Sequence, residues 1–404
     1  MSGIKTDVVI VGSGPSGAAA AKRLTDAGYE AVMLERKAMP RHKPCSGILS
    51  PRGHRFLIEN FGPLPEETLH KPRYCRGVTF HFPRGGELPM DFDGGPTPHM
   101  HRKFCDAWAV KRSWAVLHAS TEFLSLEDDG RRVRVRASRN GEPVTYDARY
   151  VIGADGPRLA VTRSLYPEYA KSIPWFVVGQ KFHAIKDCPL DEEYFHFWFD
   201  PQLGHYTWSH ARDGRQIVGV GFRSGEVFDA KHARVVEHLE RRHGVRLGPG
   251  EDTEIVTANF GPSLINRYVF GRGNTLITGQ AAGFFNMIAE GMSCALHSGA
   301  IAGEAAVQAF RYGSDVQKLY REMIQSEVRR TSDQWNPFKI LFGRPHEADF
   351  RGALARLPAG RRRLIWGDIW SFVKLYSPLN WGRQMFWQGV LRQLTGRYSP
   401  SRWL

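Results

Sequence analysis

The amino-terminal end of the chain shows a hydrophobic pattern that predicts a strand, a helix and a second strand. Residues 7–11, DVVIV, form a β-branched run typical of a buried parallel strand, and the glycine-rich GSGPSG follows without a gap. The stretch AAAAKRLTDA then favours helix and stops at Gly28, and residues 30–35, EAVMLE, predict the second strand. Such a unit, about 30 residues long, is typical of a parallel α/β sheet.

The remainder of the chain divides by the same patterns. Residues 36–54 are rich in Pro, Gly, Lys and Arg and predict a loop, whereas Arg102–Ala119 predicts a helix. From 174 to 260 strands prevail around one helical stretch, Ala230–His243, which predicts a separate β-rich layer. The predicted strands outside the opening unit are residues 75–83, 131–137, 150–156, 194–199, 205–208 and 216–222, and a strand with a glycine turn at 274–285 precedes a helix that ends near Phe310.

Composition and charge narrow the class of protein. The 404 residues are 42% hydrophobic and 24% charged, which excludes disorder as the main state and allows roughly two or three domains. The net charge of +14 predicts an anionic partner: a membrane surface, a nucleic acid or a phosphorylated substrate. Five widely spaced cysteines without a C-x-x-C pair favour a reducing compartment and predict no metal site. No stretch approaches 18 apolar residues, so we expect a cytoplasmic protein without a transmembrane helix.

The glycine-rich turn carries the pattern of a dinucleotide site. In this pattern Gly12 makes the tight turn, Gly14 lets the backbone approach a pyrophosphate, and Gly17 lets helix and strand pack closely. Pro15 and Ser16 complete the turn, whose helix N-terminus faces the anion. Glu35 lies eighteen residues past Gly17, at the end of the second strand, where an acidic side chain accepts bonds from ribose hydroxyls. It disfavours the 2′-phosphate of NADP. Glu35 and its neighbour Arg36 complete the predicted adenosine contacts.

The turn alone does not separate NAD from FAD, and three later segments do so by resemblance. GADGPRLAVTR (153–163) and TGQAAGFFNMIAEGM (278–292) resemble two cofactor segments of flavoprotein monooxygenases and their relatives. HRKFCDAW resembles a third segment, which lies along the cofactor. The resemblance implies FAD as the cofactor, and the contacts that it implies are Arg102, Asp155, Gly156, Gly279, Gln280, Gly283, Gly291 and Met292.

A closer resemblance is to the geranylgeranyl reductase family of FAD-dependent oxidoreductases. KPCSGILSPRG (43–53) resembles the family's P-C-G-G-G segment, and AAGFFNMIAEGMSCALHSGAIAGEAA (281–306) resembles its long glycine-rich run. HYTWSHARDGRQIVGVGF (205–222) resembles its Y-x-W-x-F-P segment. Three departures from the family occur: Gln280 replaces an Asp, Ser46 replaces a glycine next to the cysteine, and Ser209-His210 replace Phe-Pro. Further positions that the resemblance implies at the flavin are Cys45, Ser46, Gly47, Glu290 and Ser298.

The resemblance implies that reduced flavin saturates carbon–carbon double bonds of an isoprenoid or a similarly apolar substrate. NAD(P)H or a reduced ferredoxin-like protein would supply the electrons. Cys45 and Glu290 are the implied catalytic residues, against the alternatives of a small buried hydrophobe and an acid that complements a helix dipole. The predicted substrate contacts, each of which has core packing or solvation as its alternative, are Tyr206, Trp208, Trp198 and His210.

Together these observations predict an α/β protein. Its parts are a Rossmann-type FAD-binding domain that is discontinuous in sequence, a β-rich substrate domain and a helical C-terminal segment. The boundaries we expect are 1–74, 101–165 and 270–310 for the FAD-binding domain, 75–100 and 166–269 for the substrate domain, and 311–404 for the C-terminal segment.

The last 75 residues differ in composition from the rest. They hold 13 basic against 4 acidic residues and six of the eleven tryptophans. Trp366 and Trp370 share a helical face with Val373, close to Arg361-Arg362-Arg363, which is typical of a helix at a lipid interface. We therefore expect peripheral contact with the anionic inner face of the cell membrane; the alternative is a helical cap with a solvated basic face. No nucleic-acid partner is expected, because no nucleic-acid module is recognised.

Two other functions stay open at this point. One is a flavin-dependent monooxygenase or halogenase-like enzyme that acts on an aromatic substrate. The W-x-W-x-I-P motif of halogenases does not occur here, and the third flavin segment reads G-Q-A-A-G where aromatic hydroxylases have G-D-A-A-H. The other is a protein that binds FAD or lipid without turnover.

Overall fold

The structure of the chain is a computed structural model that describes residues 3–173, 175–200, 202–203, 206–222, 226–258, 261–286, 290–335 and 350–376. Within these residues, no helix is both long enough and apolar enough to cross a bilayer.

The first sheet contains the opening unit that the sequence predicts. Its strand order is β16-β17-β10-β1-β2-β7, and β9 and β8 extend it as an antiparallel ribbon from β10. The central pairs β17–β10–β1–β2–β7 are parallel, and the β-branched residues at the centre of the sheet, Val8, Val9, Ile10, Val151, Ile152 and Ile277, are fully buried, as in sheets covered on both faces. The strands are β1 Ile4–Val11, β2 Ala31–Leu34, β7 Val116–His118, β8 Thr121–Asp128, β9 Val133–Arg139, β10 Glu142–Gly153, β16 Gly271–Arg272 and β17 Thr275–Ile277.

Helices from four distant parts of the chain pack around this sheet and at its edge. The closest helix contact joins the first helix to the longest one, because two glycines replace side chains there: an added Cβ would lie 2.1 Å from the Ser16 carbonyl oxygen at Gly299 and 2.6 Å from that of Ala20 at Gly303. The helices are α1 Pro15–Asp26, α2 Pro51–Phe61, α3 Arg102–Arg112, α4 Ala160–Leu165, α6 Gly261–Leu264, α7 Met292–Tyr312, α8 Val316–Met323 and α9 Gln325–Gln334.

The second sheet is largely antiparallel, in the order β15-β11-β14-β13-β12-β4-β5. A helix, α5 Phe228–His243, packs on one face of it, and the other face turns towards the first sheet's loops. Its strands are β4 Gly77–Phe82, β5 Gly86–Asp91, β11 Val177–Asp187, β12 Tyr194–Trp198, β13 Thr207–Arg212, β14 Arg215–Phe222 and β15 Arg246–Thr257; β3 Leu69–Cys75 and β6 Thr97–Met100 form a separate pair.

Two predicted elements need correction. The helix predicted over Arg102–Ala119 ends at Arg112, because residues 116–118 instead form β7, which pairs with the edge of β2. The loop predicted over 36–54 gives way to α2 at Pro51, where the Ser50 hydroxyl accepts a bond from the Gly53 N–H and caps the helix.

The C-terminal helices α10 Phe350–Ala355 and α11 Ala359–Tyr376 cover the β4–β5 end of the second sheet. Ile365 is fully buried, Trp366 packs against the same core, and the Asp368 carboxylate accepts a bond of 2.6 Å from Arg84 Nε. Trp370 keeps 42% of its surface exposed. Trp366 therefore packs as part of the predicted cap. Three further aromatic residues of the C-terminal segment, Trp381, Phe386 and Trp387, lie outside the described residues.

Candidate functional site

The turn between β1 and α1 depends on its three glycines. An added Cβ would lie 2.5 Å from the Ala154 carbonyl oxygen at Gly12 and 2.0 Å from the Gly12 carbonyl oxygen at Gly17, so neither position admits a side chain. At Gly14 the nearest atom to such a Cβ is Arg41 Nη2, at 3.7 Å. Gly14 therefore faces open space, where a ligand can approach the backbone.

The N-terminus of α1 offers its N–H groups to this space. No side chain caps it, and its first turn carries no acidic residue. Because the first N–H groups of a helix have no partner within the helix, they attract an anion.

Two clefts meet at this N-terminus, and each is named here by its position. The outer cleft, of about 1310 Å³, is lined by Val11–Gly14, Leu34–Lys37, Arg41–Pro44, residues 121–123 and the Ala154–Arg158 turn. The central cleft, of about 1130 Å³, lies between the first and second sheets and includes residues 14–16, 43–46 and 290–292. Since Gly14, Lys43, Pro44, Ala154 and Gly156 line both clefts, one elongated ligand can occupy the two together.

Glu35 anchors a charged network beside the outer cleft. Its Oε2 accepts bonds from Ser13 Oγ at 2.8 Å and from Arg41 Nε at 2.7 Å, and its Oε1 accepts the Lys37 N–H at 3.1 Å. Burial alone raises the pKa of Glu35, but the Arg41 charge and these hydrogen bonds outweigh burial and hold the pKa below its ordinary value. An ionised Glu35 at the cleft wall fits its predicted role towards ribose hydroxyls.

Arg41 extends the network to a second buried carboxylate. Its Nη1 donates to Asp106 Oδ2 at 3.1 Å, and Arg102 donates to both oxygens of Asp106 at 2.9 Å. Burial raises the pKa of Asp106, whereas the Arg102 and Arg41 guanidinium groups lower it further than burial raises it. The predicted cofactor residue Arg102 is thus held rigidly in the wall of the central cleft.

Asp155 provides a test of the predicted cofactor. Its Oδ2 accepts the Ala160 N–H, but its buried Oδ1 has no hydrogen-bond partner in the part of the chain that the structure describes, and burial raises the pKa of this carboxyl to about 6. Asp155 lines the outer cleft next to Gly156. An unpartnered buried acceptor, the open space at Gly14 and the unsatisfied helix N-terminus together fit the hydroxyls and pyrophosphate of FAD.

The Cys45 loop forms one wall of the central cleft. Cys45 Sγ accepts the Gly47 N–H at 3.4 Å, and Arg212 Nη1 donates to the Cys45 carbonyl oxygen at 2.7 Å. Gly47 has φ +91°, and an added Cβ would lie 2.7 Å from the His99 ring. The left-handed conformation thus falls on Gly47 and not on Ser46. A serine therefore fits at position 46, where the family has glycine.

Glu290 lies at the opposite wall, before the first turn of α7. Its Oε1 accepts the Ser293 N–H at 2.8 Å, and its Oε2 accepts from the Asn286 amide at 3.1 Å and from Ser293 Oγ at 2.5 Å. Burial raises the pKa of Glu290, and the bonds from Ser293 oppose that rise. Glu290 therefore has a structural role at the helix start and also contributes to the cleft wall.

β12 contributes one of its two faces to the aromatic wall of the central cleft, and Trp198 lies on the opposite face. Phe197, Tyr206 and Trp208 line the cleft. Trp208 lies flat over Gly219, where an added Cβ would be 2.1 Å from the indole ring. Trp198 faces α5, stacks on His81 at 4.4 Å and donates to His243 Nε2 at 3.0 Å. Trp198, a predicted substrate contact, therefore does not line the central cleft, because strand alternation turns it to the opposite face.

His210 also departs from both readings of the sequence. It is 2% exposed, stacks on Phe195 at 4.1 Å and lies beside His99, so it is neither solvated nor part of a cleft wall. Burial lowers its pKa well below the ordinary value, which keeps the ring neutral. β13 lies in the interior of the second sheet, and a side chain there points into packed layers.

The structure brings most of the predicted residues to the two clefts. The outer cleft includes Gly12, Gly14, Glu35, Arg36, Asp155 and Gly156, and the central cleft includes Gly14, Pro15, Ser16, Cys45, Ser46, Arg102, Gly156, Tyr206, Trp208, Gln280, Glu290, Gly291 and Met292. Four predicted glycines and one serine lie behind the walls and not in them: Gly17, Gly47, Gly279, Gly283 and Ser298. Gly279 and Gly283 have positive φ, and Ser298 Oγ accepts the Gly279 N–H at 3.0 Å, so they shape the third cofactor turn.

Several wall residues were not found from the sequence. Arg41, Lys43 and Gln180 line the clefts, as do Phe285 and Glu254. The positions of Arg41 and Lys43, inside the loop that ends in Cys45, were the available signal. Gln180 and Glu254 pair across β11 and β15, a register that no local pattern reveals.

Comparisons with known proteins agree with this geometry. The model of the FAD binding domain family matches residues 5–292. Digeranylgeranylglycerophospholipid reductase 1 of Methanopyrus kandleri is 29% identical over 345 residues, which cover 80% of this chain and 87% of the relative. The aligned region therefore spans most of both proteins.

Solved structures share the fold. A geranylgeranyl bacteriochlorophyll reductase-like protein of Thermoplasma acidophilum aligns over 92% of this chain and 98% of its own, with a TM-score of 0.72 and 16% identity. A flavin-dependent brominase aligns over 89% and 93%, with a TM-score of 0.67 and 16% identity. Given the family match and the glycine turn, the clefts and the unpartnered Asp155 oxygen, the chain belongs to the FAD binding domain family and is an FAD-dependent oxidoreductase similar to geranylgeranyl reductases.

Proposed function

We propose that the protein saturates carbon–carbon double bonds of an isoprenoid or a similarly apolar substrate. The observation that carries the proposal is the composition of the central cleft, whose far wall is built from Phe197, Tyr206, Trp208 and Phe285 while its near wall holds Cys45. Such a cleft desolvates an apolar chain next to the residues that border the cofactor. The Methanopyrus relative is named as a reductase of a lipid with this kind of chain.

When bound, FAD in its reduced state supplies the hydride for such a reaction. The aromatic wall excludes water and orients the double bond, since Trp208 is fixed between Gly219 and Tyr206. The second carbon must receive a proton, and Cys45, whose thiol lies at the junction of the walls, is the proposed donor. Glu290 accepts hydrogen bonds at both oxygens, so we propose that it positions this wall.

The reaction is tested by anaerobic incubation of the reduced, FAD-loaded protein with candidate prenyl lipids, followed by mass spectrometry. We expect products heavier by two hydrogen atoms for each saturated bond. Turnover that requires oxygen and adds oxygen or halogen to an aromatic compound would instead select the monooxygenase or halogenase-like alternative. Bound flavin that no donor reduces would select a binding protein without turnover.

Cys45→Ala is expected to lower the single-turnover rate of double-bond reduction by at least about 100-fold while flavin stays bound, because a positioned proton donor is lost. The measurement is stopped-flow reoxidation of the reduced flavin by the prenyl substrate. Cys188→Ala is the matched control, since Cys188 is half-buried and lies outside both clefts. A Cys45→Ala protein that keeps the full rate would remove the thiol from the mechanism.

The electron donor that we propose is NAD(P)H or a reduced ferredoxin-like protein. Anaerobic bleaching of the flavin absorbance, measured with each donor in turn, distinguishes them. The larger rate constant at equal donor concentration identifies the donor that the protein uses.

We also propose that the C-terminal segment holds the protein on an anionic membrane surface. Replacing Arg361, Arg362 and Arg363 by Gln is expected to weaken binding to anionic vesicles by about 3 kcal/mol, or roughly 100-fold, because each cation near such a surface contributes about 1 kcal/mol. Vesicle sedimentation at low and high salt measures this. The control is the same change at three residues around β9: Arg131, Arg134 and Arg136. If the unaltered protein sediments with the vesicles at neither salt concentration, the proposal is contradicted.

A further inference from the structure

A third cleft, of about 980 Å³, lies on the other side of the Cys45 loop from the aromatic wall. We name it the basic cleft. It is bounded by the β13–β14 turn, the middle of β15 and the first turn of α3, and it shares Lys43, Cys45, Arg102 and Glu254 with the central cleft. A ligand in the basic cleft therefore lies next to the loop that borders the flavin.

The carboxylates of the basic cleft are already paired. Asp252 Oδ2 is 2.8 Å from Arg215 Nη1, and Asp213 Oδ2 is 2.7 Å from His70 Nδ1. Glu254 accepts from the Gln180 amide at 2.6 Å and contacts His42 Nε2 at 2.9 Å. Among the described residues, none of these carboxylates forms an ion pair with Arg212, Lys43 or Lys103.

Arg212 is the central cation of this cleft. Its residue is 8% exposed, its Nη1 donates to the Cys45 carbonyl oxygen at 2.7 Å, and its guanidinium lies 4.5 Å from the centre of the Phe182 ring. Among the described residues, no carboxylate oxygen lies within 4.0 Å of it. A buried guanidinium without a carboxylate is costly unless a ligand supplies the anion.

Two lysines add to this positive charge. Lys43 and Lys103 line the basic cleft and form no ion pair with any described residue. Burial, followed by the charge of Arg212, lowers the pKa of neighbouring His70 to about 3 and also lowers the pKa of His101. The imidazoles are therefore neutral. The cleft is lined by five cations and three carboxylates, so positive charge remains in excess, although Glu254 and Asp213 offset part of the charge of Arg212.

We propose that the basic cleft binds a phosphate group of a ligand that reaches the Cys45 loop, with Arg212 as its main partner. A phosphate dianion matches a guanidinium flanked by ammonium groups, because Arg binds two of its oxygens at once and Lys adds point charge. Two ligands carry this chemistry: a prenyl substrate with a phosphorylated end, and a nicotinamide nucleotide. The first source rests on the proposed function, whereas phosphate binding itself does not.

The experiment is calorimetric titration of the FAD-loaded protein with inorganic pyrophosphate, so that the flavin site is already filled. We expect a dissociation constant below about 1 mM, weakened about tenfold or more by Arg212→Gln and by a smaller factor by Lys103→Gln. Arg134→Gln, an exposed residue of β9, is the control and is expected to bind as the unaltered protein does. Flavin absorbance confirms that each variant keeps its cofactor.

A failure of pyrophosphate to bind to the unaltered protein overturns the proposal. So does an affinity in both Gln variants that equals the affinity of the unaltered protein. If Arg212→Gln loses its flavin, an unchanged affinity in Lys103→Gln alone overturns it. Competition then identifies the source, with NADPH in one titration and a long-chain prenyl diphosphate, paired with its free alcohol, in the other. Displacement by one of the phosphorylated compounds but not by the alcohol supports the proposal, whereas displacement by neither means that the cleft binds an adventitious anion only.

Discussion

Gly17→Ala is expected to weaken FAD binding by about 10- to 100-fold, or about 1.4–2.7 kcal/mol. The added Cβ would lie 2.0 Å from the Gly12 carbonyl oxygen and 3.3 Å from Ile10 Cγ2, both of which are fixed in β1 and its turn. Helix α1 must therefore move away from the sheet, and its N-terminus moves with it from the place where the pyrophosphate binds. Flavin fluorescence titration of the apoprotein measures the affinity.

The control is Gly360→Ala in α11, where an added Cβ meets no atom within 4 Å. This change is expected to leave FAD affinity unaltered and to stabilise the helix by up to about 1 kcal/mol. If Gly17→Ala binds FAD as tightly as Gly360→Ala does, the α1 turn does not hold the pyrophosphate.

Asp106→Asn is expected to lower the free energy of unfolding by about 3–5 kcal/mol. The Asp106 side chain is 1% exposed and, among the described residues, is the only carboxylate within 4.0 Å of Arg102, while it also pairs with Arg41. Its loss leaves two buried guanidinium groups beside Lys43. Of the two, Arg41 keeps a carboxylate partner, Glu35. Urea unfolding of the FAD-loaded protein, followed by tryptophan fluorescence, measures the loss.

The sign of the pH dependence follows from the lowered pKa of Asp106. The stability from its ionised form is fully present above the ordinary value of 3.8 and is lost as the pH falls through the lower pKa of the folded state. The two proteins are therefore expected to differ most at neutral pH and to converge in acid. Glu127→Gln, which removes the exposed partner of Arg136 outside the clefts, is expected to cost less than about 1 kcal/mol. A neutral effect of Asp106→Asn would contradict the buried network.

Local sequence predicts the glycine turn of the cofactor half of the site, and resemblance to a family implies its other contacts. The roles of Gly12, Gly14 and Gly17 follow from spacing alone, because a turn between a parallel strand and a helix depends on a few consecutive residues. The structure agrees in detail, down to the open space at Gly14. The cysteine loop followed from resemblance, and its positive φ falls on Gly47.

The substrate half depends on contacts between distant strands and was predicted less well. Both faces of β12 are bulky, so alternation separates Phe197 from Trp198 but does not say which of them faces the cleft. A solvated strand end, the alternative considered for His210, is not what the structure shows, since β13 lies inside the second sheet. The number of strands beside β13 is a property of the whole sheet, which local sequence does not reveal. The pairing of Arg41 with Asp106, 65 residues away, likewise has no local signal.

The strand order of the first sheet has a consequence for biosynthesis. β1 lies between β2 and β10, β17 joins on the far side of β10, and α1 packs closely against Gly299 and Gly303 of α7. A ribosome that adds about 5–20 residues per second needs roughly 15–60 s to pass from residue 1 to the end of α7. Until then the nascent chain exposes the apolar side of α1, so prematurely terminated products that lack α7 should depend on chaperones and emerge without flavin.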